Sequence, residues 1–157
     1  MADDRSPEAA RDAADEDTAL NEALAAEHAA VWGYGVVGAA LPPEGRGEAV
    51  AAEGAHRDAR DGLVALLGGR GVDPVDAEGG YELPFPVLSP VDAAALAAVL
   101  EDGVAAAWVR VLDRAVEQPV RVLAVAMLGT TEVRAVGWRA AAGQSPVTRA
   151  FPGLPEQ

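Results

Sequence analysis

The chain has 157 residues, no cysteine and a formal net charge of −13, and 50 % of its residues are hydrophobic although only 4 % are aromatic. The absence of cysteine excludes disulfides, thiolate metal sites and cysteine nucleophiles. The negative charge argues against nucleic acid or an anionic membrane surface as a partner, because both would repel the chain. An alanine-rich chain of this length with few aromatics favours a single domain of closely packed helices.

The N-terminal segment, residues 1–17, is acidic and shows no apolar period. This composition predicts a disordered tail. The segment also lacks the basic start and apolar stretch of a secretory signal peptide, and no apolar run in the sequence is long enough to span a bilayer. We therefore expect a cytoplasmic protein.

Residues 18–144 predict an all-α fold, an antiparallel four-helix bundle. Apolar residues recur at intervals of three and four, the spacing of one helical face, in four segments. These predicted helices are residues 18–41, 44–67, 89–117 and 119–142. The first ends at two prolines and the second at two glycines, and both kinds of residue stop helices. The short links within each helix pair predict antiparallel neighbours.

The segment between the second and third helices, residues 70–89, is rich in glycine, proline and aspartate. Twenty extended residues reach at most roughly 66 Å, whereas a helix of about 25 residues is roughly 37 Å long. The segment can therefore cross the whole bundle, which would make the third helix parallel to the second. Residues 145–157 contain three prolines and predict an extended C-terminal tail. We also expect a homodimer that forms through an alanine- and glycine-rich helix face.

One glutamate falls on or beside the apolar stripe of each predicted helix. These residues are Glu27, Glu53, Glu101 and Glu132. Each lies within about one turn of the midpoint of its helix, so we expect all four at one level of the bundle. Four buried carboxylates would be prohibitively costly unless they were protonated or neutralised. A polar cluster at the centre of the bundle is therefore the candidate functional site.

This pattern resembles the ferritin-like proteins, which hold two metal ions with one Glu from each of two helices and a Glu-x-x-His pair from each of the others. Here the second helix carries a complete pair, Glu53-Gly-Ala-His56, but the fourth has Ala135 where the second histidine would be. A second and closer resemblance is to an actinobacterial ferritin-like family of unknown function. It rests on the sequences of residues 26–39, His56-Arg57, residues 81–86 and residues 132–139. That resemblance implies the fold without implying a reaction.

Three interpretations of the cluster remain open, and the first is favoured. In a metal-free salt-bridge cluster, Arg60, Arg139 and a protonated His56 would neutralise the glutamates, because arginine can bridge two carboxylates. Alternatively, one iron or manganese ion would be held by Glu27, Glu53 and His56 with Glu101, or two ions would use Glu132 as well. His28 directly follows Glu27 and should point about 100° away from it.

The sequence identifies no catalytic residue. The favoured function is a non-catalytic module for assembly or interaction. The alternative function is a metal-dependent redox protein that uses the same carboxylates and His56 to bind its metal. Tyr34, two turns from Glu27, is expected to pack in the core with its hydroxyl on a polar group.

Overall fold

A computed structural model of the chain describes residues 6–155, and these residues form helices and no strand. The elements are α1 (Pro7–Ala40), a short 3₁₀-helix (Pro43–Gly45), α2 (Arg46–Gly69), α3 (Pro90–Arg114) and α4 (Gln118–Ala141). The prediction of an all-α four-helix bundle with a long crossover is confirmed. None of the described helices is long and apolar enough to cross a membrane.

The topology follows from which helices pack together. α1 packs against α2 and α3, and α3 packs against α4. Ion pairs join Asp15 to Arg114 and Glu22 to Arg110, so α1 and α3 run in opposite directions. Because α1 is also antiparallel to α2, the crossover makes α3 parallel to α2, as predicted. α2 and α4 do not pack closely over the described residues, and a groove separates them.

The start of α1 corrects the prediction of a disordered tail. The helix begins at Pro7, so that prediction is wrong for residues 7–17, while residues 1–5 lie outside the described residues. The side chain of Ser6 caps the helix by accepting a hydrogen bond from the backbone N–H of Ala9 at 3.2 Å, and proline suits the first helical position. The acidic composition suggested a solvated segment, but Glu16 is 1 % exposed.

Glu16 belongs to a group of charges at one end of the bundle, which we call the end network: Glu16, Asp17, Arg70 and Glu117. One carboxylate oxygen of Glu16 accepts hydrogen bonds from the backbone N–H groups of Val116 and Glu117, at 2.5 and 2.9 Å. The other accepts from Arg70 at 2.7 Å, and Arg70 also donates to Asp17 at 2.5 Å. Burial opposes ionisation, but these donors outweigh it and hold the pKa of Glu16 below its usual value. The end network ties α1 to the end of α2 and to the turn between α3 and α4.

The crossover, residues 70–89, contains no described helix beyond the end of α2 and is held by side chains of α1. The Asn21 amide donates to the carbonyl oxygen of Asp73 at 3.0 Å and accepts from the N–H of Val75 at 2.8 Å. Nε2 of His28 lies 3.1 Å from the carbonyl oxygen of Val75. His28 therefore faces the crossover and not the centre of the bundle, which confirms the predicted direction.

Apolar residues of the crossover divide between packed and exposed positions. Phe85 and Val87 are partly buried against the core, whereas Leu83 and Leu88 are exposed.

The core itself has two apolar clusters. One contains Leu20, Leu24, Leu63 and Trp108, and the other contains Tyr34, Val37, Leu96 and Trp138. His56 and Glu101 lie between these clusters in sequence on α2 and α3. Together with Glu27 of α1, which lies among residues of the first cluster, they form a polar layer across the bundle.

The described part of the C-terminal tail, residues 145–155, has no helix or strand and folds back on α3. Arg149 forms an ion pair with Asp102 of α3 at 2.9 Å. Gly153 has a φ angle of +75°, and a Cβ atom there would lie 2.7 Å from the carbonyl oxygen of Ala105. Only glycine combines that backbone conformation with so close an approach to the helix.

Candidate functional site: a polar layer shared by four helices

The polar layer contains six connected side chains, which we call the central network. Its members are Glu27 and Tyr34 of α1, His56 of α2, Glu101 and Trp108 of α3, and Arg134 of α4. Glu27 and Tyr34 are seven residues apart, as are Glu101 and Trp108, so each pair shares one helical face two turns apart. Every helix of the bundle therefore contributes to the layer.

His56 bridges the two glutamates of the central network. Its Nδ1 atom lies 2.6 Å from a carboxylate oxygen of Glu27, and its Nε2 atom lies 3.1 Å from one of Glu101. All three side chains have an exposed fraction of 0 %. A protonated imidazole can donate to both carboxylates at once, whereas a neutral imidazole can donate to only one.

The remaining donors divide unequally between the two carboxylates. Nε1 of Trp108 donates to the second oxygen of Glu27 at 3.0 Å. In Glu101, Oε1 accepts from the hydroxyl of Tyr34 at 2.5 Å and from Nε of Arg134 at 2.9 Å, in addition to His56. Oε2 of Glu101 is buried and has no hydrogen-bond partner among the described residues. The prediction that the Tyr34 hydroxyl reaches a polar group is confirmed.

The charges of the central network balance when His56 is protonated. Burial lowers the pKa of His56, but its hydrogen bonds with Glu101 and Glu27 outweigh burial and raise it to about 9. Burial also opposes ionisation of Glu101, yet His56 and Arg134 hold its pKa below the usual value. Burial and the Glu101 charge raise the pKa of Tyr34, so its hydroxyl stays a donor. Two positive and two negative groups therefore face each other, three of them fully buried and Arg134 21 % exposed.

Three of the predicted site residues meet in the central network, namely Glu27, His56 and Glu101. Glu53 instead accepts from Arg57, one turn further along α2, at 2.5 Å, and its side chain is 24 % exposed. Glu132 lies 3.4 Å from Arg139. The prediction of four glutamates in one cluster is wrong for these two residues, because an arginine on the same helix engages each of them.

The predicted neutralising arginines also differ from the observed one. Arg60 pairs with its neighbour Asp61 at 2.8 Å and does not reach the central network. Arg139 is buried but pairs with Asp102 and Glu132 and donates to the carbonyl oxygen of Val147 at 2.9 Å. The prediction that these two arginines neutralise the central glutamates is therefore wrong for Arg60. Arg139 does pair with Glu132, one of the four predicted glutamates, but it pairs with neither Glu27 nor Glu101.

Arg134 supplies the positive charge that the sequence analysis assigned to Arg60 and Arg139. Its position beside Glu132 was visible in the sequence, but its partner is Glu101 on another helix. The hydrogen bond of Trp108 to Glu27 likewise joins positions 81 residues apart. The only local signal for either residue was its place near the middle or the apolar face of a helix.

The arrangement does not fit the two metal ions that the ferritin-like resemblance implies. Both nitrogens of His56 face carboxylates, and Arg134 occupies one side of Glu101. Glu53 and Glu132 are held elsewhere by arginines. Within residues 6–155, no group of three or more His, Asp or Glu side chains converges as metal ligands would. The chemistry that the layer itself supports is hydrogen bonding and proton exchange at His56.

Comparison with known proteins places this bundle in a family. Residues 19–156 match the model described as a domain of unknown function, DUF4439. The chain belongs to the DUF4439 family. This DUF4439 chain is similar to the crystal structure of a conserved hypothetical protein, rv2844, from Mycobacterium tuberculosis, with a TM-score of 0.81 and 39 % sequence identity. The likeness covers 90 % of this chain and 99 % of that chain. None of the curated proteins compared with the DUF4439 chain matches it.

The family match confirms the predicted membership of a family of unknown function. It begins within α1, about three turns after Pro7, and includes the tail that follows α4. The DUF4439 domain thus contains the central network completely.

Proposed function

We propose that the chain is a non-catalytic, ferritin-like assembly module that forms a homodimer through the outer face of α4. Two helical hairpins joined by a long crossover, together with Glu27 and the Glu53-x-x-His56 pair, support the ferritin-like assignment. The identity of 39 % with a protein from Mycobacterium tuberculosis supports an actinobacterial source. The observation that carries the assembly role is the composition of the α4 surface.

The outer face of α4 is an exposed stripe without charge. It consists of Val122, Val125, Ala126, Gly129, Val133, Gly137 and Ala140. The valines are strongly exposed, at 63 % for Val122, 57 % for Val125 and 75 % for Val133. The stripe runs over 19 residues, or about 28 Å of helix. Because 24 % of the residues of the chain are charged, an exposed strip of this length without any charge indicates a protein–protein interface.

A second copy of the chain is the partner that this stripe suits. Two-fold symmetry places the same face on both subunits, and an uncharged face is compatible with itself. Each chain has a net charge of −13, so two copies repel each other through most other contacts, and the neutral stripe minimises that repulsion. A Cβ atom at Gly129 or Gly137 would meet nothing within 4 Å, so these positions leave room for a facing helix.

The central network fixes the positions of the four helices relative to one another. In the proposed role, protonated His56 and Arg134 supply the positive charge that metal ions supply in a metal-loaded ferritin-like bundle. A buried ionic network is satisfied in only one arrangement of the helices, since any slip would leave charges unpaired. Arg134, its member on α4, directly follows Val133 of the outer stripe, which supports a role in holding that stripe at a fixed height.

The oligomeric state tests the proposal. Light scattering after size exclusion should give twice the 16.0 kDa mass of one chain. A variant with Val125→Glu and Val133→Glu should elute as a monomer, since two like charges would face their copies. Val50→Glu is the matched control, because Val50 is 66 % exposed but lies on α2. A monomeric wild-type chain at high concentration would overturn the proposed assembly role.

Elemental analysis tests the alternative of a redox protein. The chain, expressed with added iron and manganese, should contain far less than one equivalent of either metal. The control is a variant with Glu27→Gln and His56→Gln. If the wild type instead carried one or two equivalents that disappeared in the variant, the metal-dependent function would replace the non-catalytic one.

A further inference from the structure

The groove between α2 and α4 contains a cavity of about 610 Å³. Its walls are mainly apolar, and the large side chains are Leu63, Leu66, Trp108, Leu123 and Met127. Cavities of roughly 300–1,000 Å³ with mainly apolar walls and a few polar groups are typical of small-molecule sites. The polar groups here are Asp58, Thr130 and Arg134.

Two residues of the cavity wall belong to the central network. Trp108 donates to Glu27 in a buried hydrogen bond, and Arg134 donates to buried Glu101 in a partly buried one, so both side chains are held by the central network. Arg134 also lines a second cavity of about 320 Å³, whose walls include Val133 and Trp138. Arg134 therefore lines both cavities, where a bound molecule could contact it.

We propose that the larger cavity binds an uncharged, mainly apolar small molecule that carries one hydrogen-bond acceptor. Nε and Nη2 of Arg134 donate to Glu101 and Thr131, at 2.9 and 3.4 Å. Nη1 makes no hydrogen bond within the described residues and is the donor for the acceptor of the ligand. The apolar walls bind the body of the ligand by removing it from water.

Charge decides between an uncharged and an anionic ligand. The positive charge of Arg134 already balances Glu101, whose Oε1 atom it contacts and whose Oε2 atom has no hydrogen-bond partner among the described residues. An anion that drew Arg134 away would leave a buried carboxylate with less compensation, which is costly. Asp58 on the cavity wall and the net charge of −13 repel an anion further. The site therefore selects neutral molecules.

This site is separate from the proposed dimer contact. The cavity uses the groove side of α4, at Leu123, Met127, Thr130 and Arg134, whereas the dimer uses its outer stripe. Ligand binding is expected for a monomer as well as for a dimer, so failure of either proposal leaves the other intact.

Fluorescent probes of matched shape test the proposal. N-phenyl-1-naphthylamine is neutral, and 8-anilino-1-naphthalenesulfonate adds a sulfonate to the same aromatic body. We expect saturable binding of the neutral probe at one molecule per chain and binding of the sulfonate weaker by about tenfold or more. A third probe, 6-propionyl-2-(dimethylamino)naphthalene, is neutral with a carbonyl acceptor and should bind by contact with Arg134.

Two glycines of α2 provide a matched pair of variants. Gly62 lines the cavity and Gly54 does not, and a Cβ atom at either would meet nothing within 4 Å. Gly62→Leu should fill the cavity and weaken binding of both neutral probes by about tenfold or more, whereas Gly54→Leu should leave binding unchanged. Thr130→Phe fills the cavity from α4, where Thr130 is exposed, and should act like Gly62→Leu.

Circular dichroism will show whether each variant is folded, and Thr130→Phe decides the result if Gly62→Leu is not. Unchanged binding in a folded cavity-filling variant would overturn the proposed site, as would an equal loss in Gly54→Leu. Equal affinity for the neutral and sulfonated probes would overturn the selection for uncharged ligands. Non-saturable binding of all three probes would also overturn the site.

Discussion

The end network and the central network both bury a glutamate of α1, but they neutralise it in different ways. Glu16 receives two backbone N–H groups and Arg70, none of which changes its charge near neutral pH. In the central network Glu27 and Glu101 share His56, whose charge depends on pH. The buried carboxylate at the end of the bundle is therefore stabilised independently of pH near neutrality. The carboxylates at the centre are stabilised fully only while His56 is protonated.

The two networks also differ in how completely their oxygens are satisfied. Both oxygens of Glu16 accept hydrogen bonds. In Glu101 one oxygen accepts three, and the other accepts none from the described residues. Three of the five hydrogen bonds of the central network thus converge on a single atom, and replacing Glu101 removes those three while the two of Glu27 remain. Four experiments test this difference, and they are ordered by the size of the expected effect.

Glu101→Leu should have the largest effect on stability. It leaves His56 and Arg134 without their shared carboxylate, and removing one partner of a buried ion pair costs about 3–5 kcal/mol. Urea unfolding will measure the change in the free energy of unfolding. Asp113→Leu is the control on the same helix, because the Asp113 side chain is 73 % exposed. A loss below about 1 kcal/mol would contradict the central role of Glu101.

Raising the pH should remove the contribution of His56. Its pKa in the folded chain is about 9, above the usual value of 6.5. Because the pKa is raised on folding, protonated His56 stabilises the folded chain fully below about pH 6.5. This stabilisation is lost as pH rises through about 9. The shift corresponds to roughly 3 kcal/mol. Unfolding in urea between pH 6 and pH 10 will measure it, and His56→Gln should flatten the curve. A wild-type curve as flat as that of the variant would show that His56 is not protonated in the folded chain.

Glu16→Ala should destabilise the end network by about 1–3 kcal/mol, because two backbone N–H groups and Arg70 lose a buried acceptor. Unlike the centre, this contribution should be constant between pH 6.5 and 9, since the pKa of Glu16 lies below its usual acidic value. Thermal unfolding of Glu16→Ala beside Asp15→Ala, whose side chain is 60 % exposed, will test both points. Equal stability of the two variants would contradict the structural role of Glu16.

Arg60→Ala should have the smallest effect, within about 0.5 kcal/mol of the wild type, because Arg60 forms its ion pair with exposed Asp61. Arg134→Ala is the informative comparison and should cost several times more, since it leaves buried Glu101 with fewer donors. Urea unfolding of both variants measures the difference. A larger effect for Arg60→Ala would restore Arg60 as the residue that neutralises the centre.

Helical periodicity predicted the fold because four long segments repeat apolar residues at one spacing. It also predicted Glu27, His56 and Glu101 in the polar layer, since each lies on the apolar stripe of its helix. It could not predict that Arg57 and Arg139 would engage Glu53 and Glu132. Those outcomes depend on how far each stripe is rotated toward the bundle axis.

Long-range partners explain the remaining errors. Glu16 looked like part of a solvated acidic tail because Arg70, Val116 and Glu117 are 54 to 101 residues away in sequence. The choice between Arg60 and Arg134 depended on the same kind of information. Arg60 is near His56 along α2, whereas Arg134 reaches Glu101 from α4, and only the packed arrangement of helices distinguishes them.

Gly153 carries a consequence for the evolution of the tail. The left-handed backbone and the approach to Ala105 exclude every side chain at this position. Around it, Phe151 and Leu154 are exposed and can be replaced at little cost. The sequence of the tail should therefore vary widely within the family, except at the position of Gly153, which should remain glycine. Relatives without that glycine should have a tail that leaves α3 by another path.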